Sequence, residues 1–166
     1  MPVVEPLLAA DEPPAFQEFH IKGRSDFIVV ADHASARIPR RLANLGLPGS
    51  ELKRHIAWDI GALSVARRVA EEIDAPLVAQ NYSRLVIDCN RDPKVATSIP
   101  RISEHREIPG NIGLSAVEIA ARRTEIFDPY HRRIRELLDG RRASGRRVIL
   151  VEIGRASCRE RVLMPV

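Results

Sequence analysis

The sequence is poor in the features that mark disulfide-rich and membrane proteins. Only two of its 166 residues are cysteine, Cys89 and Cys158, which is too few for a disulfide framework and favours a reducing, cytoplasmic compartment. The longest apolar runs, 27–31 and 148–151, are far shorter than the roughly 18 residues that suggest a membrane-spanning helix. Residues 1–10 contain no basic residue and so lack the basic start of a secretory signal. We expect no membrane partner.

Aromatic residues are also scarce, at 4% of the chain, and this limits how the net charge of +4 is interpreted. Nine arginines but only five acidic residues lie between Glu118 and Arg147, so this segment alone has the whole positive excess. A nucleic-acid-binding surface usually combines basic clusters with interleaved aromatic residues. Only Phe127 and Tyr130 occur here, and both fall on the apolar side of a predicted helix. The pattern therefore favours a solvated helix face and argues against a nucleic-acid partner.

The composition and the order of the predicted strands and helices indicate a single α/β domain. Hydrophobic residues make up 45% of the chain and charged residues 29%, which is typical of a globular domain. Residues 1–22 predict an irregular arm and 92–115 a long loop. Elsewhere, short apolar runs and apolar periodicity predict strands at 27–31, 76–79, 84–88 and 148–151, and helices at 50–73 and from about 115, restarting at Pro129. This order predicts a layered α/β fold with a mostly parallel sheet.

Polar residues follow two of the predicted strands, at 32–33 and 88–91. In open α/β sheets, binding sites form beyond the carboxyl ends of the strands. His33 and Asp59 are candidate metal ligands there, and Arg84 and Arg91 can bind an anionic substrate because a guanidinium fork matches a carboxylate. Asp59 interrupts the apolar seam of the predicted helix 50–73, where a carboxylate is costly unless it is paired or binds a cation. We therefore expect Asp59 to be buried and to face the same cavity as His33.

The residues leave alternatives open at each of these positions. A histidine that follows a strand, such as His33, is often only a hydrogen-bonding loop residue. His55 lies one helical turn before Asp59 and can pair with it instead of binding a metal. Asp88 can simply cap a turn, and His131 is interpreted as a surface residue. The chain has no H-E-x-x-H motif, so spacing alone does not establish a zinc site.

Several longer strings carry a resemblance to a known family. They are DHAS at 32–35, HIAWDIGA at 55–62, NYSRLVIDCNR at 81–91, IPGN at 108–111 and PYH at 129–131. In this order and over about 27–151, the sequence resembles the N-formylglutamate amidohydrolase family.

The resemblance implies a three-layer αβα, zinc-peptidase-like fold, here truncated. It implies a hydrolase that cleaves the amide of N-formylglutamate, or of a similar N-acyl amino acid, to formate and glutamate in the setting of histidine degradation. It further implies zinc bound by His33, with Asp59 as a second ligand. The Asn90-Arg91 pair, together with Arg84, is expected to bind the substrate carboxylates.

The resemblance also predicts where the family pattern ends. Residues 1–151 are expected to be the N-terminal part of an amidohydrolase domain, and residues 152–166 a non-native tail. The family continues past the last strand with a His-Ser-Phe-Thr-type segment, whereas this chain reads EIGRASCRERV over 152–162. That string can be back-translated into a common sequencing-library adapter, and we interpret it as read-through on a truncated gene.

The predicted ligand set has a consequence for activity. A catalytic zinc site generally takes three protein ligands, and the sequence offers only His33 and Asp59. We therefore expect the 166-residue chain not to hydrolyse N-formylglutamate. The alternative function is an inactive α/β module that retains an anion-binding pocket around Arg84 and Arg91.

Overall fold

The computed structural model describes residues 5–154. Its strands are Phe16–Phe19 (β1), Phe27–Ala31 (β2), Leu77–Gln80 (β3), Ile102–Ser103 (β4), Arg106–Glu107 (β5) and Ile149–Glu152 (β6). Its α-helices are Gly49–Leu52 (α1), Ala62–Glu72 (α2), Ala116–Arg122 (α3) and Asp128–Ala143 (α4), with a π-helical segment Arg123–Phe127 between the last two. Short 3₁₀ segments cover Arg40–Gly46, Ala96–Ser98 and Pro109–Asn111. The predicted α/β class is confirmed.

The central sheet is mixed, with strand order β1-β3-β2-β6. Strand β2 runs parallel to both β3 and β6, and β1 is antiparallel to β3. The prediction that residues 1–22 are irregular is wrong for β1. The strand forms because Phe16 and Phe19 lie on opposite faces of the sheet and each packs against a different buried cluster.

Helices cover both faces of this sheet. Successive residues of a strand point to opposite faces, and β2 follows this alternation. On one face, β2 packs against α2 through Val29, Ala31, Ala66 and Ala70. On the other face, it packs against α4 through Ile28, Val30, Tyr130 and Ile134. The carboxyl end of β2 is therefore held from both sides.

The predicted strand at 84–88 does not form. Residues 85–89 are buried, yet their backbone groups bond to side chains and to backbone carbonyls of turns and loops instead of a neighbouring strand. The Leu85 N–H donates to Ser83 Oγ at 3.1 Å, and Asn111 Nδ2 donates to the Leu85 carbonyl at 2.8 Å. The Val86 carbonyl accepts from the buried Arg122 guanidinium at 3.1 Å. The apolar run is thus a turn segment inside the core.

The predicted helix at 50–73 is two separate helices, α1 and α2. Gly61, with φ of 85°, precedes α2 in the left-handed conformation that glycine adopts without strain. Asp59 therefore lies in the turn before α2 and not on a helical seam. The helix expected from about 115 does not break and restart at Pro129: it stays helical through the π-helical segment, which ends at Phe127 directly before α4.

The last described strand extends one residue beyond its predicted end. Glu152 pairs with Val30, and the Ile153 N–H donates to the Val30 carbonyl at 2.8 Å. Strand β6 lies at the edge of the described sheet, where Ile149 and Leu150 are exposed. The expected non-native tail lies outside the described residues from 155 onward, and so does Cys158. Within 5–154, no helix is long and apolar enough to cross a membrane.

Candidate active site

His33 is the centre of the site and lies between two carboxylates at the end of β2. Its Nε2 is 2.7 Å from Asp88 Oδ1, and its Nδ1 is 3.4 Å from Asp59 Oδ2. The turn before α2 brings Asp59 here, because the Asp59 N–H donates to the His33 carbonyl at 2.9 Å. All three side chains are buried. The predicted burial of Asp59 is confirmed, although a turn and not a helix places it beside His33, and neither side chain is among those that line the cavity described below.

Asp88 does more than cap a turn. It accepts a hydrogen bond from the Asn90 N–H at 2.9 Å, as a cap would. It also accepts from Arg91 Nε at 3.1 Å and lies 3.7 Å from Arg84 Nη2. Asp88 is therefore a site residue that the sequence prediction did not assign. Its position four residues after Arg84 and three before Arg91 indicates the two arginine contacts, but it does not indicate the contact with His33.

The carboxylates determine the charge of His33. Burial by itself lowers the pKa of His33, but the contacts with Asp59 and Asp88 prevail and raise it to about 9. For Asp88, burial by itself raises the pKa, but the contact with His33 outweighs burial and lowers this pKa to about 2. At neutral pH, the metal-free site thus holds an imidazolium between two carboxylates.

A cavity of about 450 Å³ opens beside Asp88. Its volume lies in the range of about 300–1,000 Å³ that is typical of small-molecule sites. Arg84, Arg91 and Arg101 line it. Arg84 and Arg91 were predicted to bind substrate and are brought together here, whereas Asn90 is not part of the lining and donates its side-chain N–H to Glu152.

A model of the N-formylglutamate amidohydrolase family matches residues 25–157. The chain belongs to this family. Comparison with curated protein sequences gives no match.

A solved structure has a similar fold. The chain is similar to the crystal structure of gene product Atu2144 from Agrobacterium tumefaciens, with a TM-score of 0.87 and 40% sequence identity. The match covers 89% of this chain and 59% of that chain. The chain therefore spans less than two thirds of the length of this relative.

The two predicted ligands have a spacing that suits a metal ion. Donors bonded at about 2.0–2.2 Å to a tetrahedral zinc lie about 3.4 Å apart, and His33 Nδ1 and Asp59 Oδ2 are separated by 3.4 Å. That distance is long for a hydrogen bond. Asp88 on Nε2 has the position of the carboxylate that commonly orients a metal-bound imidazole. Among residues 5–154, no group of three or more His, Cys, Asp or Glu side chains is placed to hold a metal.

Position 154 also faces these residues. A Cβ atom added to Gly154 would lie 3.1 Å from Asp59 Oδ2 and 3.6 Å from Glu152 Oε1. A side chain at this position would therefore enter the site directly after β6. This is the region where the family resemblance places a histidine and this chain has glycine.

Two other histidines differ from expectation. His55 does not pair with Asp59, because its Nε2 is 2.5 Å from Glu104 Oε1 in the β4–β5 turn. His131 is not a surface residue, since it is half-buried and its Nε2 lies 2.8 Å from the Cys89 carbonyl. Its ring stacks against Phe127 with centroids 4.2 Å apart. Both rings support the loops around the site and do not enter it.

A buried hydrogen bond fixes the strand end next to His33. The Tyr130 hydroxyl of α4 donates to Asp32 Oδ1 at 2.5 Å. Burial raises the pKa of Asp32, against the opposing effect of this hydrogen bond. The contact ties the residue before His33 to the helix that covers the sheet, and so limits how far His33 can shift.

Proposed function

We propose that this site binds N-formylglutamate, or a similar N-acyl amino acid, for hydrolysis of its amide to formate and glutamate. The observation that carries the proposal is the pair His33 Nδ1 and Asp59 Oδ2, 3.4 Å apart, beside a cavity that three arginines line. An amidohydrolase of this kind needs a group that activates the amide and cations that hold the carboxylates. The paired donors and the arginines support these two roles, and the family membership supports the same reaction.

The arginines orient the substrate. Arg84 Nη1 is 3.3 Å from Asp59 Oδ1 and Arg91 Nε is 3.1 Å from Asp88 Oδ2, so both guanidinium groups are held by the carboxylates that contact His33. A substrate carboxylate bound to Arg91 would therefore place the adjoining amide near His33. Holding the reactant in a productive geometry can account for a large part of an enzyme's rate enhancement.

His33 and Asp59 would hold a divalent metal, which we propose to be zinc, and Asp88 would keep the His33 ring in the required orientation. A bound zinc ion polarises an amide carbonyl and lowers the pKa of a coordinated water. Because His33 is protonated in the metal-free site, metal binding must release this proton. The neutral ring can then donate Nε2–H to Asp88 while Nδ1 is free to coordinate.

A second candidate function is an inactive module that retains the anion-binding cavity. It is favoured by one observation, namely that the described residues place two metal donors together and not three. In this case the chain would bind N-formylglutamate through Arg84 and Arg91 without cleaving it.

Formate release from N-formylglutamate separates the two candidates. The hydrolase proposal predicts turnover that a chelator abolishes and zinc restores, and that is lost in His33→Asn. The inactive module predicts binding of N-formylglutamate by calorimetry without formate release. A chain that neither binds nor cleaves this compound would contradict both.

Arg91→Lys tests the substrate-binding part of the proposal. A lysine keeps the charge but loses the two-pronged contact, and we expect affinity for N-formylglutamate to fall by about 1.5–3 kcal/mol. An unchanged affinity in calorimetry would assign Arg91 only to its ion pair with Asp88.

Two further predictions concern the setting of the protein. They are that it takes part in histidine degradation and that it lies in the cytoplasm.

A further inference from the structure

The three arginines of the cavity differ in how their charge is balanced. Arg84 lies 3.3 Å from Asp59 and 3.7 Å from Asp88, and Arg91 lies 3.1 Å from Asp88. Among residues 5–154, no carboxylate lies within ion-pair distance of the Arg101 guanidinium. Arg101 is thus the cavity arginine whose charge the described protein leaves unmatched.

The charge of the cavity lining matches a ligand with two carboxylates. Three arginines and one carboxylate, Asp88, line the cavity, which gives an excess of two positive charges. A substrate carboxylate bound at Arg91 would neutralise the one of these two positive charges that lies closer to His33. The other positive charge is at Arg101, on the segment that leads into β4.

The backbone around Arg101 is fixed from two sides. Its carbonyl accepts a hydrogen bond from the Ile108 N–H at 2.8 Å. The neighbouring Pro100 carbonyl accepts from Asn111 Nδ2 at 2.7 Å, and the buried Arg122 guanidinium in turn donates to Asn111 Oδ1 at 2.6 Å. An exposed side chain on a rigid backbone can bind a ligand with a smaller loss of conformational entropy than one on a free loop.

We infer that Arg101 is a specificity residue that binds the side-chain carboxylate of an acidic N-acyl amino acid, while Arg91 binds the α-carboxylate. This inference rests on the proposed function and adds the substrate's side chain to it. A guanidinium that no carboxylate of residues 5–154 pairs with can form an ion pair and two parallel hydrogen bonds with a carboxylate, whereas a neutral amide offers it only a single oxygen acceptor without the opposite charge. The cavity should therefore prefer N-formylglutamate to N-formylglutamine, which has nearly the same shape.

Calorimetric titration of the full chain with these two compounds tests the inference. We expect wild type to bind N-formylglutamate about ten- to a hundredfold more tightly than N-formylglutamine. Arg101→Gln should remove most of this preference, because it should weaken the binding of N-formylglutamate much more than the binding of N-formylglutamine. The matched control is Arg106→Gln, because Arg106 is also exposed on the β4–β5 hairpin but pairs with Glu51 at 3.3 Å and does not line the cavity. It should keep the preference.

The outcomes separate this inference from the proposed function. Retention of the preference in Arg101→Gln would overturn the role of Arg101 and leave the proposed function standing. Equal binding of the two compounds by wild type would also overturn the role of Arg101 and leave the proposed function standing. Failure of wild type to bind either compound would overturn both. Because Arg101 is exposed, the variant should unfold at the wild-type urea concentration, which checks that the fold is intact.

Discussion

Without metal, the free energy of unfolding should fall as the pH rises through the pKa of His33. This pKa is about 9 in the folded chain, against 6.5 for an unperturbed histidine. The folded chain binds the proton more tightly, so the stabilisation is complete below pH 6.5 and is lost as the pH rises through about 9. The difference between the two pKa values corresponds to roughly 3 kcal/mol.

The assay is urea unfolding between pH 6 and pH 10 in the presence of a chelator, for wild type and for His33→Gln. The Cys89 thiol, whose pKa burial raises, also affects stability at high pH. The difference between the two chains removes this contribution. The control is His20→Gln, because His20 pairs with Asp74 at the surface, where an ion pair contributes little to stability.

The wild-type chain should lose roughly 3 kcal/mol more than His33→Gln across this range. The loss should be concentrated between pH 6.5 and about pH 9, the two pKa values of the ring. Parallel curves for the two chains would refute the reasoning, since they would mean that Asp59 and Asp88 do not hold a proton on His33.

Three further substitutions test other parts of the account. Gly154→His should raise the affinity for zinc about tenfold or more, because a third donor would lie beside Asp59. The affinity is measured in competition with a chromophoric chelator, and equal affinities of the variant and wild type would contradict the placement of position 154. Tyr130→Phe should lower the free energy of unfolding in urea by about 1–3 kcal/mol, because the buried Asp32 carboxyl loses its donor, and an unchanged value would show that the bond does not stabilise the fold. Arg122→Met should destabilise the chain by more than about 2 kcal/mol in the same assay, because the Val86 and Gly110 carbonyls and Asn111 Oδ1 lose their donor. A variant as stable as wild type would contradict this role.

The strands that hold the site could be predicted because they are apolar and β-branched. Strands β2 and β6 fall within a residue of their predicted ends, and both are buried or paired along the sheet. The run at 84–88 has the same composition but is not a strand, because Ser83, Asn111 and Arg122 satisfy its backbone. Long-range side-chain contacts of this kind are not encoded in a local pattern.

The site itself could be predicted only in part. Asp59 was identified by a helical periodicity that the chain does not have, and it is buried because its backbone N–H bonds to the His33 carbonyl. The contact between His33 and Asp88 joins residues 55 positions apart, so spacing could not reveal it. Arg101 comes to the cavity through the β4–β5 hairpin, whose strands of two residues each are too short for a periodic signal.

A crystal structure of the zinc-loaded chain with N-formylglutamate tests the central claim most directly. The account predicts zinc about 2.0–2.2 Å from His33 Nδ1 and Asp59 Oδ2, with Asp88 still bonded to Nε2 and a substrate carboxylate on Arg91. Zinc bound through His33 Nε2 after displacement of Asp88, or zinc bound away from His33 altogether, would contradict it.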